Sequence, residues 1–175
     1  MSAAEIGPGP IRADEFRTVM SRFATGVTVV TCVQDGFDHA MTANSFASVS
    51  LEPALVLVCV EADSRFHEAV LHAGAWNVSV LDEHQRGRAS WFATRGRPLV
   101  GQFDTTPTRR SSETGALLIS DSLATLECVT EAVHHAGDHD ILVGRVVGMD
   151  LARPDGRPLL YFGSSYSTLG DPASR

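Results

Sequence analysis

Two apolar, β-branched runs constrain this chain more than anything else in it. Residues 27–33 read VTVVTCV and residues 54–60 read ALVLVCV. Val and Thr lose side-chain freedom in helices and pack well on a pleated surface. Short apolar runs of this kind, bounded by turn signals, read as buried strands. Asp35-Gly36 follows the first run and is a hairpin signal. From about His39 to Leu51 lies an extended segment of a different kind. Its centre, MTANSFASVS, is small and polar with few bulky side chains, and Glu52-Pro53 interrupts it.

The remaining pattern is also strand-rich. Phe16, Val19, Met20 and Phe23 fall at i, i+3, i+4 and i+7, which predicts a short amphipathic helix opened by Asp14 and broken by Gly26. Residues 64–73 predict a helix capped by Asp63 or Ser64 and ended by Gly74. Residues 76–81 read as a strand, 82–93 as a helix capped by Asp82, and 94–113 as a long surface loop. Strands are expected near 115–119, 122–133, 139–149 and 158–163, with breaks at Ala136-Gly137-Asp138 and Pro154-Asp155-Gly156. Strand–helix alternation is too weak for a doubly wound sheet. The pattern predicts a mostly β fold, an antiparallel β-barrel with two or three peripheral helices. Residues 1–13 are expected to form a flexible N-terminal tail, 14–169 one domain, and 170–175 a C-terminal tail.

Composition narrows the function. The chain has 175 residues, enough for one domain with a full core. Its 43% hydrophobic and 20% charged content is ordinary for a globular protein. Every apolar run is far shorter than the roughly 20 residues of a spanning helix, so no membrane association is expected. The formal charge is −7, and all 14 basic residues are Arg. Such a chain lacks the basic face that nucleic acid selects. Without Lys there is no Schiff-base catalysis and no P-loop lysine. Cys32, Cys59 and Cys128 are widely spaced and read as buried small hydrophobes, which suits a cytoplasmic protein. Residues 1–10 lack the basic and apolar pattern of a secretion signal.

No paired-His metal spacing, nucleophile elbow or GxGxxG fingerprint is found. His134-His135 are adjacent and on a strand point to opposite faces. Three segments could carry chemistry. The run from His39 to Ser50 offers backbone approach and Thr, Asn and Ser donors to a flat heteroaromatic, or is an edge strand with a solvated face. At Cys59-Val60-Glu61-Ala62-Asp63-Ser64-Arg65-Phe66 a strand ends and a helix begins. Amides there, the Ser64 hydroxyl and Arg65 make a phosphate site, or a plain capped helix. Gly137-Asp138-His139 is a turn that launches a His, at a pocket mouth or on an ordinary hairpin.

Taken together, FRTVMSRFATGVTVVT, MTANSFASVSLEPALVLVCV, WNVSVL, LATLECV, AGDHDILVGRVV and LLYFGSSY resemble the short-chain flavin reductases. These are the small NAD(P)H-dependent reductase components of two-component flavin monooxygenases. The resemblance covers about residues 16–169. It implies a split, Greek-key β-barrel of the FMN-binding type, acting as a homodimer. It implies hydride transfer from NADH or NADPH to FAD or FMN, and delivery of reduced flavin to a partner monooxygenase.

The resemblance also assigns roles. Asp38, His39, Ala40, Met41, Thr42, Asn44 and Ser45 would line the isoalloxazine and adjoining chain. Cys59, Val60, Glu61, Arg65 and Phe66 would continue the flavin site toward the phosphates. Gly137, Asp138 and His139 match a GDH motif associated with nicotinamide nucleotide binding, and Tyr166 an aromatic residue lining the nucleotide site. No catalytic side chain is implied, because the cofactors carry the chemistry. Two places depart from the family pattern. Trp91-Phe92-Ala93 stands where relatives often read Arg-Phe-Ala, whose Arg can meet a flavin phosphate; Arg88 and Arg95 are the candidates to substitute for it, though neither occupies the matching place. Gly163-Ser164-Ser165 stands where an Arg is usual before the final Tyr. Alternatives on the same barrel are an enzyme that retains FMN and a non-catalytic flavin-binding protein.

Overall fold

Residues 10–170 are described by the computed structural model. Helix α1 (Ala13–Met20) precedes strands β1 (Thr25–Gly26), β2 (Thr28–Gln34), β3 (Phe37–Ala43), β4 (Phe46–Leu51) and β5 (Ala54–Glu61). Helix α2 (Arg65–Ala73), strand β6 (Ala75–Val80), a 3-10 turn (Glu83–Gln85) and helix α3 (Arg86–Ala93) follow. The chain then forms β7 (Thr108–Arg110), β8 (Leu117–Ile119), β9 (Ala124–Ala136), β10 (His139–Asp150), β11 (Leu159–Phe162) and β12 (Ser165–Thr168).

Seven strands make one antiparallel sheet in the order β3-β2-β6-β9-β10-β5-β4. Three more, β1-β11-β12, make a small second sheet, and β7 pairs with β8. The mostly β class expected from sequence holds, with 48% strand and 17% helix. The large sheet is not closed by hydrogen bonds between its edge strands β3 and β4. One extended segment was expected over 39–51, but the chain changes partner at Asn44-Ser45. β3 stays on β2, while β4 pairs with β5.

The first apolar run is buried on both faces. Val30 and Cys32 join Val58, Val60, Trp76, Cys128 and Leu142 in one core, which α2 covers with Phe66, Ala69 and Val70. Val29 and the preceding Val27 join Leu81, Phe92, Ile119 and Leu159 in the other. Successive strand residues point to opposite faces, so a strand between two cores is apolar throughout. Each large side chain buried in this way contributes roughly 1.5–3 kcal/mol. Gly144 is dictated by packing: a Cβ there would lie 2.4 Å from the Trp76 ring.

Local signals place the turns. Asp35 and Gly36 both have positive φ, 51° and 80°, as the tight β2–β3 hairpin requires. Ser64 caps α2 by accepting from the His67 N–H at 3.2 Å, and Gly74 ends it at φ 63°. Gly163 and Ser164 have φ 58° and 61° in the β11–β12 turn.

Other boundaries differ from expectation. α1 starts at Ala13, with Arg12 rather than Asp14 at its cap, and ends at Met20, so Phe23 lies outside it. None of its residues is buried, and Phe16 and Val19 are exposed. The predicted helix over 82–93 is split, because Asp82 and Gln85 form a reciprocal capping box around the 3-10 turn. The expected surface loop over 94–113 is partly interior. Gln102, Thr106 and Ser111 are buried there, since Gln102 Nε2 donates to the Asp38 carbonyl at 2.7 Å and the Ser111 hydroxyl donates to Glu127. Of the two expected tails, residues 1–9 and 171–175 lie outside the described residues.

Candidate functional site

A cavity of about 550 Å³ opens where β3, the end of β5, the start of α2 and the segment after α3 meet. That volume falls within the roughly 300–1,000 Å³ of small-molecule sites. One wall is β3 and its exit: His39, Ala40, Met41, Thr42, Asn44 and Ser45. The second is Cys59, Glu61, Arg65 and Phe66. The third, Phe92 to Arg97, comes from the end of α3, and His139 stands at the start of β10.

The small polar wall is firmly tied down. Thr42 Oγ1 donates to the Ala89 carbonyl at 2.7 Å. Ser45 Oγ donates to the Cys59 carbonyl at 3.1 Å and accepts the Cys59 N–H at 3.2 Å. His39 is 6% exposed, and its Nδ1 has no hydrogen-bond partner. Burial, followed by the charge of Arg65, holds its imidazole below the ordinary value, so it is neutral near pH 7.

Three arginines converge at one end. Arg65 Nη1 donates to the Arg97 carbonyl at 3.2 Å. Arg97 donates to the carbonyls of Phe92 at 2.9 Å, Thr94 at 3.1 Å and Ala40, and to Gln102 Oε1 at 3.0 Å. Its guanidinium lies 5.5 Å from the Phe92 ring centre. Burial, then Arg65, lowers its pKa to about 10. Arg95 Nη2 meets both Glu61 carboxylate oxygens, at 2.7 and 2.6 Å.

Not every residue singled out from sequence reaches the cavity. Asp38 turns away to bind Arg110 at 3.0 and 2.8 Å. Val60 is wholly buried in the core. Gly137, with φ 73°, and Asp138 form the β9–β10 turn, where Asp138 binds His139 Nδ1 at 2.8 Å. Tyr166 packs edge-on against Tyr161, with ring centres 5.5 Å apart. Arg88 is engaged with the Ser120 carbonyl at 2.9 Å. Trp91 donates its indole N–H to the Gln102 carbonyl at 2.8 Å and pins the segment after α3. Thr94, Gly96 and Arg97 were not singled out. The one local signal for them is an Arg-Gly-Arg run just past a helix end, with Gly96 at φ 72°.

The walls suit a flavin. Small residues admit a flat ring beside backbone groups, a buried polar imidazole edge stands without a partner, and cationic side chains stand at the far end for a phosphate. The sequence profile of the flavin reductase like domain matches residues 20–170. The chain belongs to that family. It is 36% identical over 168 residues to the reductase subunit HsaB of a flavin-dependent monooxygenase from Rhodococcus jostii (strain RHA1), covering 93% of this chain and 84% of that one. It is 44% identical over 134 residues to an NADH-dependent FAD reductase from Streptomyces globisporus, covering 76% and 73%. The NADH:FAD oxidoreductase of Streptomyces globisporus in complex with NAD and FAD fragments superposes with a TM-score of 0.87 at 37% identity, covering 92% of this chain and 94% of that one.

Proposed function

We propose that this cavity binds flavin and nicotinamide nucleotide face to face, and that the chain is an NADH-dependent flavin reductase serving a flavin-dependent monooxygenase. The observation that carries this reading is the joining of the small polar wall, Arg65 and His139 around one cavity. When both are bound, the nicotinamide supplies a hydride from C4 to flavin N5. The protein's part is to bind and align, and alignment alone can lower such a barrier substantially. Met41 to Ser45 take the ring edge, the amides at the start of α2 and Arg65 take the phosphate, and neutral His39 closes the floor. His139 serves the nucleotide, placed at the rim by the Gly137-Asp138 turn.

A homodimer is supported by the exposed apolar side chains of α1, where Phe16, Val19 and Met20 are left uncovered by the described residues. A reducing compartment is supported by three free cysteines. The assignment within the cavity is tested by His139→Ala. The KM for NADH is expected to rise several-fold, with flavin affinity near that of the parent. Lost flavin binding with an unchanged NADH dependence would reverse the two assignments.

A further inference from the structure

We propose that Glu61 is an internal occupant of the phosphate-binding place on Arg95, displaced when a phosphate-bearing flavin enters. This rests on the flavin reading of the cavity. Arg95 Nη2 contacts both Glu61 oxygens, so the carboxylate sits on the guanidinium as a phosphate would. The pair ties the end of β5 to the segment after α3, across the cavity's cationic end. Arg95 is 82% exposed and Glu61 38%. Ion pairs this exposed contribute little, a factor of about five or less in an equilibrium, so an incoming dianion can displace one.

The neighbouring groups favour that exchange. Arg65 lies at the same end, held to the Arg97 carbonyl two residues from Arg95, and has no carboxylate partner among the described residues. Arg97 is committed to three carbonyls and Gln102, so it fixes the segment rather than receiving a ligand. Asp63 is the other acid at this end. A phosphate bridging Arg65 and Arg95 engages two guanidinium groups, where Glu61 engages one. Glu61 thereby sets the discrimination between phosphorylated flavins and riboflavin, and discounts affinity for the former.

The test measures dissociation constants of FMN and riboflavin from flavin fluorescence, for the parent protein, Glu61→Gln, Arg95→Ala and the double variant. Thermal melts confirm that each is folded. Arg95→Ala is expected to weaken FMN about tenfold and leave riboflavin near the parent value. Glu61→Gln is expected to tighten FMN about two- to fivefold, again without effect on riboflavin, and to do nothing once Arg95 is absent. The same tightening in the Arg95→Ala background would overturn the proposal, because Glu61 would then act by simple repulsion. So would equal tightening of riboflavin. If the parent protein quenches no flavin at all, the flavin reading itself fails.

Discussion

Ser45 and Cys59 exchange two hydrogen bonds through one hydroxyl, which donates to the Cys59 carbonyl and accepts its N–H. This contact moves the chain off β3 and onto β5, and so opens the cavity between them. The Ser45 hydroxyl therefore acts first on the scaffold. Ser45→Ala is expected to cost about 1–2 kcal/mol of stability, with a weaker flavin affinity following from it. Denaturant midpoints and flavin titrations separate the two. An unchanged midpoint with a raised flavin KM would place the hydroxyl on the ligand instead.

Arg97 holds the segment after α3 by a planar fork that lysine cannot reproduce. Arg97→Lys is expected to lose about 2–3 kcal/mol, because buried carbonyls of Phe92 and Ala40 lose their donors. At this chain length that is about 4–12 °C in melting temperature. A lysine variant that melts with the parent would show these contacts to be dispensable.

His39 predicts a pH dependence. Its folded-state pKa lies below the ordinary imidazole value, through burial first and then Arg65. The unfolded chain therefore takes up this proton first as the pH drops. The stability linked to neutral His39 is complete above about pH 6.5 and is lost as pH falls through the lower, folded value. Denaturant midpoints measured from pH 7.5 to 5 are expected to decline, and His39→Gln to flatten that decline. A parent protein that gains stability over this interval would contradict the assignment.

Much of the fold was legible because its signals are local. Asp35-Gly36 needs only two residues to demand a tight hairpin, and Gly74 only one to end a helix. The alternation hidden in residues 27–33 was legible as burial, but not as two separate cores. Along β3 and at the start of α2, residue type leaves a ligand site and a plain strand or capped helix both open, and the family resemblance singles these segments out; both line the cavity. The Arg97 network was not legible, because it joins Arg97 to Ala40 across 57 positions. Asp38 and Tyr166 sit within motifs that suggest a site, yet Arg110 and Tyr161 claim their side chains. Residue type does not reveal which partner a side chain takes, whether that partner lies 72 positions away, as for Asp38, or across a tight hairpin, as for Tyr166.

Cysteine chemistry gives an independent probe of the cavity. Cys32 and Cys128 are fully buried, and burial pushes both thiols up to about 12. Cys59 is partly exposed and lines the cavity. Iodoacetamide on the native protein at pH 8 is expected to label Cys59 alone. Saturating FMN is expected to slow that labelling at least several-fold. Labelling at an undiminished rate would place the flavin elsewhere.

A reductase that serves a separate monooxygenase, as proposed above, takes flavin as a freely exchanging substrate and reduces it with NADH. NADH consumption, followed at increasing concentrations of added FAD or FMN with flavin-stripped protein, tests it most directly. The rate is expected to be negligible without flavin and to saturate as flavin is added. Flavin binding with no NADH consumed, or full activity from a yellow protein that needs no added flavin, would contradict it.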